Sequence, residues 1–243
     1  MYIFSGRIRL IVTALTYAVL LYLYVDGRVS VILVGSIVGF MSAWCFGFDL
    51  KVVEIVPFLL IPSLYAANMA YVTSIFTQYA QIVAILTSVI GMYLLLLTLN
   101  ILNVATVKEI PLRRPALSSL YLHGLLSYFV YAWAVLNTSG WGIQASVLTF
   151  WVSMCLYGLS YLFIVSHKAR LSEQILWIVL SIEIVLIPSF FFAAAVYTAL
   201  FMVGWLFILL GIMQHNSEKL LTKGIIREYA SIGLMITLLY FLL

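Results

Sequence analysis

Apolar runs long enough to cross a bilayer follow one another along almost the whole chain, separated by breaks of only a few polar residues. The most extreme stretch, Ile175 to Met213, is nearly forty residues long and holds one charged side chain, Glu183. Water cannot solvate such a pattern. Of the 243 residues 65% are hydrophobic and 8% charged, whereas soluble domains average about 25% charged. The pattern predicts an all-α, polytopic membrane bundle, because backbone groups in hydrocarbon must be paired within each segment.

A spanning helix needs about 20 apolar residues, which places nine of them along residues 1–243, a single transmembrane domain. The runs fall at about 8–24, 29–48, 52–73, 80–104, 117–136 and 143–165, with two more inside 175–213 and a last one ending at Leu243. Asp26-Gly27-Arg28, Asp49-Leu50-Lys51, Asn137 to Gly140 and Ser166 to Arg170 close four of them. Pro188 and Ala193 to Ala195 mark the turn expected inside the long run. Arg7 and Arg9 precede the first run with no small-residue cleavage site after it, which reads as an uncleaved signal anchor.

Charge gives the sidedness. With a cytoplasmic N-terminus and nine spans, Arg7, Arg9, Lys51, Lys108, Arg113, Arg114, Lys168, Arg170, Lys219, Lys223 and Arg227 fall inside and Arg28 falls outside. Eleven against one follows the positive-inside rule, and puts the C-terminus outside. The expected location is a bacterial inner (plasma) membrane. The net charge of +4 is thereby a matter of orientation, and no nucleic-acid partner is implied. Lys108 to Arg114 can also meet anionic headgroups, so membrane lipids are expected partners.

Short matches point to an internal duplication. Ile61-Pro62-Ser63 resembles Ile187-Pro188-Ser189, and Thr16-Tyr17-Ala18 resembles Val130-Tyr131-Ala132. A 4+4+1 parallel repeat would have halves 1–112 and 113–226 with a final helix 227–243; chance similarity between Leu-rich segments is the alternative.

Few residues carry chemistry. Glu183 lies near the bilayer midplane, where a carboxylate costs a few kcal/mol and must be protonated, paired or beside water. It reads as a proton or substrate site, or as a neutral structural group bonded to a neighbouring helix. His123, six or seven residues into helix five from the same face, is its expected partner. Asn100 and Asn103, one turn apart, complete a candidate intramembrane polar site. Asp49, Glu54, Arg113 and Arg114 form a candidate inner-face polar site. Asn68, Gln81 and Gln144 are scattered polar groups of the kind that join helices. Pro57, Pro62 and Pro188 are expected to interrupt helices three and seven. Cys45 and Cys155 sit in apolar runs without a CxxC neighbour and read as small buried hydrophobes. No nucleotide loop, HExxH or Ser-His-acid set occurs, so no metal and no cofactor is implied.

Two resemblances accompany these residues. Thr98-Leu99-Asn100-Ile101-Leu102-Asn103-Val104-Ala105, with Gly211 to Gly233, resembles an uncharacterised multi-spanning membrane protein family of candidate-phyla bacteria over about 90–243; that resemblance implies no known activity. The nine-helix layout resembles the UbiA-type prenyltransferases, which hold magnesium and diphosphate with Asp-rich motifs after helices two and six. Here the first motif position, Cys45 to Glu54, keeps only Asp49, and the second, Ser166 to Gln174, has no aspartate. Diphosphate chemistry through magnesium needs several carboxylate oxygens, so the likeness extends to architecture.

Three functions are therefore weighed. The first is a non-catalytic bundle that binds lipid or another membrane protein. The second is a small proton-coupled transporter using Glu183. The third is a divergent UbiA-like lipid-modifying enzyme.

Overall fold

A computed structural model of the chain describes residues 2–46, 52–108, 110–139, 145–166, 171–191 and 193–242. Among them the chain forms α-helices and no strand: α1 (Tyr2–Val25), α2 (Val31–Phe46), α3 (Val52–Ile75), α4 (Gln78–Val107), α5 (Arg113–Ser139), α6 (Ala145–Ser166), α7 (Leu171–Leu186), α8 (Ala195–Ser217) and α9 (Lys223–Leu242). Seven are long and apolar enough to cross a membrane. The other two, α2 and α7, have 16 residues each, about 24 Å of helix. A 3-10 turn, Ile187–Phe190, extends α7 before the chain turns into α8. The long apolar run is thus divided at Pro188, as expected.

The prolines of α3 behave differently. The helix runs unbroken through Pro57 and Pro62, which corrects the expectation of an interruption. Neighbouring helices and hydroxyl side chains re-satisfy carbonyls that a proline frees. Pro62 removes the donor to the Phe58 carbonyl four residues earlier, and beside it the Ser63 hydroxyl donates to the Leu59 carbonyl at 2.8 Å.

The chain packs as two compact units, Met1–Ser127 and Tyr128–Leu243, whose boundary falls within α5. In the first, α2 and α3 meet through Gly35 and Gly39, a G-x-x-x-G spacing. A Cβ on Gly35 would lie 3.2 Å from the Ser63 carbonyl oxygen, and one on Gly39 would overlap the Ser63 hydroxyl. Only small residues allow that approach. Successive helices run antiparallel. Arg9 covers the Trp44 ring at 5.5 Å, Gln81 donates to the Thr73 carbonyl at 3.4 Å, and the Thr98 and Ser119 hydroxyls meet at 3.3 Å. Arg7, Arg9, Lys108, Arg113 and Arg114 therefore gather at one end of this unit. Arg28, ion-paired with Asp26, stands at the other.

In the second unit α6, α7 and α8 pack on one another and α9 pairs with α8. Trp177 is fully buried and crosses α6 at Gly158, where any Cβ would overlap the indole. The α8–α9 seam interlocks both ways: Gly204 receives Ile236, Gly211 receives Tyr229, and Gly233 receives Trp205. The Trp205 indole also donates to the Thr237 hydroxyl at 3.1 Å.

Candidate functional site

Three rings from three helices meet inside the first unit. Tyr65 of α3 stands between Tyr17 of α1, at 6.4 Å between ring centres, and His123 of α5, at 5.0 Å. Gly91 of α4 forms the floor: a Cβ there would overlap the Tyr65 hydroxyl and come within 3.6 Å of His123 Cε1. Tyr17, Tyr65 and His123 each lie ten residues beyond the start of an apolar span, at Arg7, Ile55 and Arg113. Ten residues of helix are about 15 Å, half the hydrocarbon thickness. The cluster is thus at mid-membrane depth.

Its hydrogen bonding is uneven. The Tyr65 hydroxyl donates to the Ser88 carbonyl at 3.1 Å. The Tyr17 hydroxyl and His123 Nε2 are enclosed and have no partner among the described residues, and Tyr17 as a whole is 0% exposed. An enclosed polar group without a partner costs about 1–3 kcal/mol. Two such groups flank one ring. Together they present a phenolic donor and an imidazole nitrogen that donates or accepts according to its tautomer.

The residues singled out by sequence reasoning disperse. His123 belongs to the cluster. Asn100 is half-buried and Asn103 buried, but they lie nine and twelve residues along α4 from Gly91, about 14–18 Å from the level of His123. Glu183 belongs to the second unit and is exposed on α7, opposite the face that buries Trp177, Ser181, Ile184 and Val185. Of the residues expected at an inner face, Arg113 is half-buried and Arg114 exposed, at the start of α5. Asp49 and the side chain of Glu54 lie outside the described residues, as does Gln144. Cys45 and Cys155 are buried and unbridged. Cys155 contacts the Ser181 hydroxyl at 3.1 Å.

In the sequence Tyr17 stands out only within a short repeat, and Tyr65, Ser88 and Gly91 do not stand out at all. Sixteen tyrosines are spread along the chain, and residue type alone does not single out the ones that face inward. Depth aligns Tyr17, Tyr65 and His123 only with the spans that start at Arg7, Ile55 and Arg113; the apolar runs read from the sequence, starting at about 8, 52 and 117, do not bring them to one level.

A second polar group lies at the end of the second unit where α7 begins. Glu173 faces Asn216 Nδ2 at 3.4 Å and the Ser217 hydroxyl at 3.5 Å. Tyr161 donates to Gln214 Oε1 at 2.6 Å, and Gln214 Nε2 reaches Glu218 Oε1 at 3.4 Å. Here the polar atoms are mutually paired, which makes this a tie between helix ends.

No family model, curated protein or solved structure matches the chain.

Proposed function

We propose that this chain is a non-catalytic membrane bundle that binds an amphiphile, holding hydroxyl or carbonyl groups of a lipid or lipid-soluble molecule at Tyr17 and at His123. The observation that carries the reading is the pair of enclosed, unpartnered atoms flanking Tyr65. Polar groups of a ligand, one accepting from the Tyr17 phenol and one bonding His123 Nε2, would recover the cost of both. His123 as a residue is only half-buried, so the cluster has an edge through which a molecule dissolved in the bilayer can enter. Neither unpartnered group is a carboxylate, which favours recognition of a neutral polar group over ion transport.

Mass spectrometry of amphiphiles retained by the protein purified in nanodiscs tests this. Wild type should hold about one molecule per chain of a species enriched over the bulk lipid. Tyr17→Phe and His123→Phe should each retain less than about a tenth of it. Retained lipid that matches the bulk composition in all three would sink the reading.

We further infer a cytoplasmic N-terminus in an inner membrane. It is supported by the basic residues at one end of each unit: Arg7, Arg9, Lys108, Arg113 and Arg114 in the first, and Lys219, Lys223 and Arg227 in the second. A cysteine replacing Leu112, in a protein lacking Cys45 and Cys155, should resist impermeant maleimide in intact cells and react after permeabilisation. Labelling of intact cells would reverse the orientation.

A further inference from the structure

Helix α7 has two unlike faces. Trp177, Ser181, Ile184 and Val185 are buried. Ile175, Val179, Ile182 and Leu186 are exposed, and at three- and four-residue spacing they form one stripe along the helix. Glu183 stands in that stripe, exposed. It is twelve residues from Leu171, about 18 Å along the helix, and seven residues before the 3-10 turn ends at Phe190. The apolar members suit lipid. The carboxylate does not, because acidic side chains at this depth face protein or water. Among the described residues no hydrogen bond or ion pair reaches it.

Charge complementarity selects what covers this face. The lysines and arginines of the chain all lie at or near the ends of its apolar runs, so a second copy has no cation to offer at the depth of Glu183. Across a two-fold axis it would instead bring a second carboxylate to the same level, adding like charge to like. A lysine or arginine at mid-span in another chain is the complementary group. Its own cost in lipid is likewise relieved by the pairing.

We propose that the Ile175–Val179–Ile182–Glu183–Leu186 stripe docks a spanning helix of a different membrane protein, one that carries a lysine or arginine near its midpoint. Only membrane embedding is shared with the Tyr17 site. Tyr17→Phe should leave this association unchanged, so the two readings fail separately.

The test uses the full chain, donor-labelled, in phosphatidylcholine vesicles. The probe is an acceptor-labelled synthetic Leu/Ala helix with one central lysine. Energy transfer should reveal association at least about tenfold tighter than for the same helix with a central leucine. Glu183→Gln, an isosteric change at an exposed position, should abolish that difference while circular dichroism stays unchanged. Glu183→Lys should transfer the preference to a helix with a central glutamate. Equal association of the lysine and leucine helices, or an undiminished preference in Glu183→Gln, would overturn the proposal. So would failure of a folded Glu183→Lys protein to prefer the glutamate helix. Self-association of the chain that vanishes in Glu183→Gln would assign the face to a second copy instead, and overturn it as well.

Discussion

The two units both have tyrosine-bearing aromatic interiors and treat their polar tips differently. In the second unit a ladder of rings joins Tyr131, Phe150, Tyr128, Tyr157 and Phe207 at 5.1–6.3 Å between centres. Several polar ring tips of this unit are occupied. Tyr128 donates to Ser153 at 2.9 Å, Tyr161 to Gln214 at 2.6 Å, Trp177 to the Cys155 carbonyl at 3.2 Å, and Trp151 to Ser181 at 3.1 Å. In the first unit only the middle ring of three, Tyr65, is bonded at its tip. The second unit's own unpartnered pair, Thr198 and Tyr240, lies on the α8–α9 seam, where the two groups face each other. A polar interior in hydrocarbon is tolerated when it is self-sufficient. The first unit's interior is not, and that contrast singles it out as the place for a ligand.

The largest test of the contrast is on the self-sufficient side. Trp177→Ala removes a fully buried indole, its bond to Cys155 and the fit against Gly158. It should lower stability by about 3–5 kcal/mol, read as the shift in a denaturant or SDS unfolding midpoint in micelles. A loss under about 1 kcal/mol would mean that the α6–α7 seam is not what holds the second unit. Next in size is Gly91→Ala. The added methyl displaces Tyr65 and presses on His123, an overpacking worth about 1–3 kcal/mol, and amphiphile retention should fall with it. Normal stability combined with normal retention would remove Gly91 from the floor of the site.

The parts of this molecule that were legible in advance are those that depend on position along the bilayer normal. Run lengths, the break at Pro188 and the clustering of cations at span ends follow from the cost of placing charge or free backbone in hydrocarbon, which each segment meets alone. Direction around a helix axis was not legible. In water a core face is apolar and an outer face polar; in lipid both are apolar, and periodicity loses its meaning. Glu183 shows this: its depth was readable, its outward direction was not, because Ile182 and Leu186 on its side look like Ile184 and Val185 on the other. Tyr17 and Tyr65 were hidden for the same reason. Gly35 and Gly39 are legible in the sequence: their four-residue spacing is the ordinary signature of two helices in close contact.

A smaller effect separates a bonded tip from its absence. Tyr128→Phe keeps the ring contacts with Tyr131, Phe150 and Tyr157 and deletes the bonds to Ser153. Interhelical hydrogen bonds in membranes average about 0.6 kcal/mol, so a loss of about 0.5–1 kcal/mol is expected in the same unfolding assay. No loss would show that the ladder is held by ring packing alone, and would weaken the contrast with the first unit.

The smallest effect is the sharpest, because its sign rather than its size decides. Tyr17→Phe deletes a hydroxyl that has no partner among the described residues. In delipidated protein nothing is lost and an uncompensated buried dipole is removed, so stability should hold or rise by up to about 1 kcal/mol. In protein carrying its amphiphile the same change removes a bond that only the loaded state makes. Ligand stabilises the folded state in proportion to the logarithm of its occupancy, so the loaded variant should melt below loaded wild type while the stripped variant does not. Tyr128→Phe, whose bond lies wholly within the protein, should lower stability in both states alike. A Tyr17→Phe loss that is the same size with and without lipid would mean that the phenol already has a partner in the empty protein. The two aromatic interiors would then be alike after all.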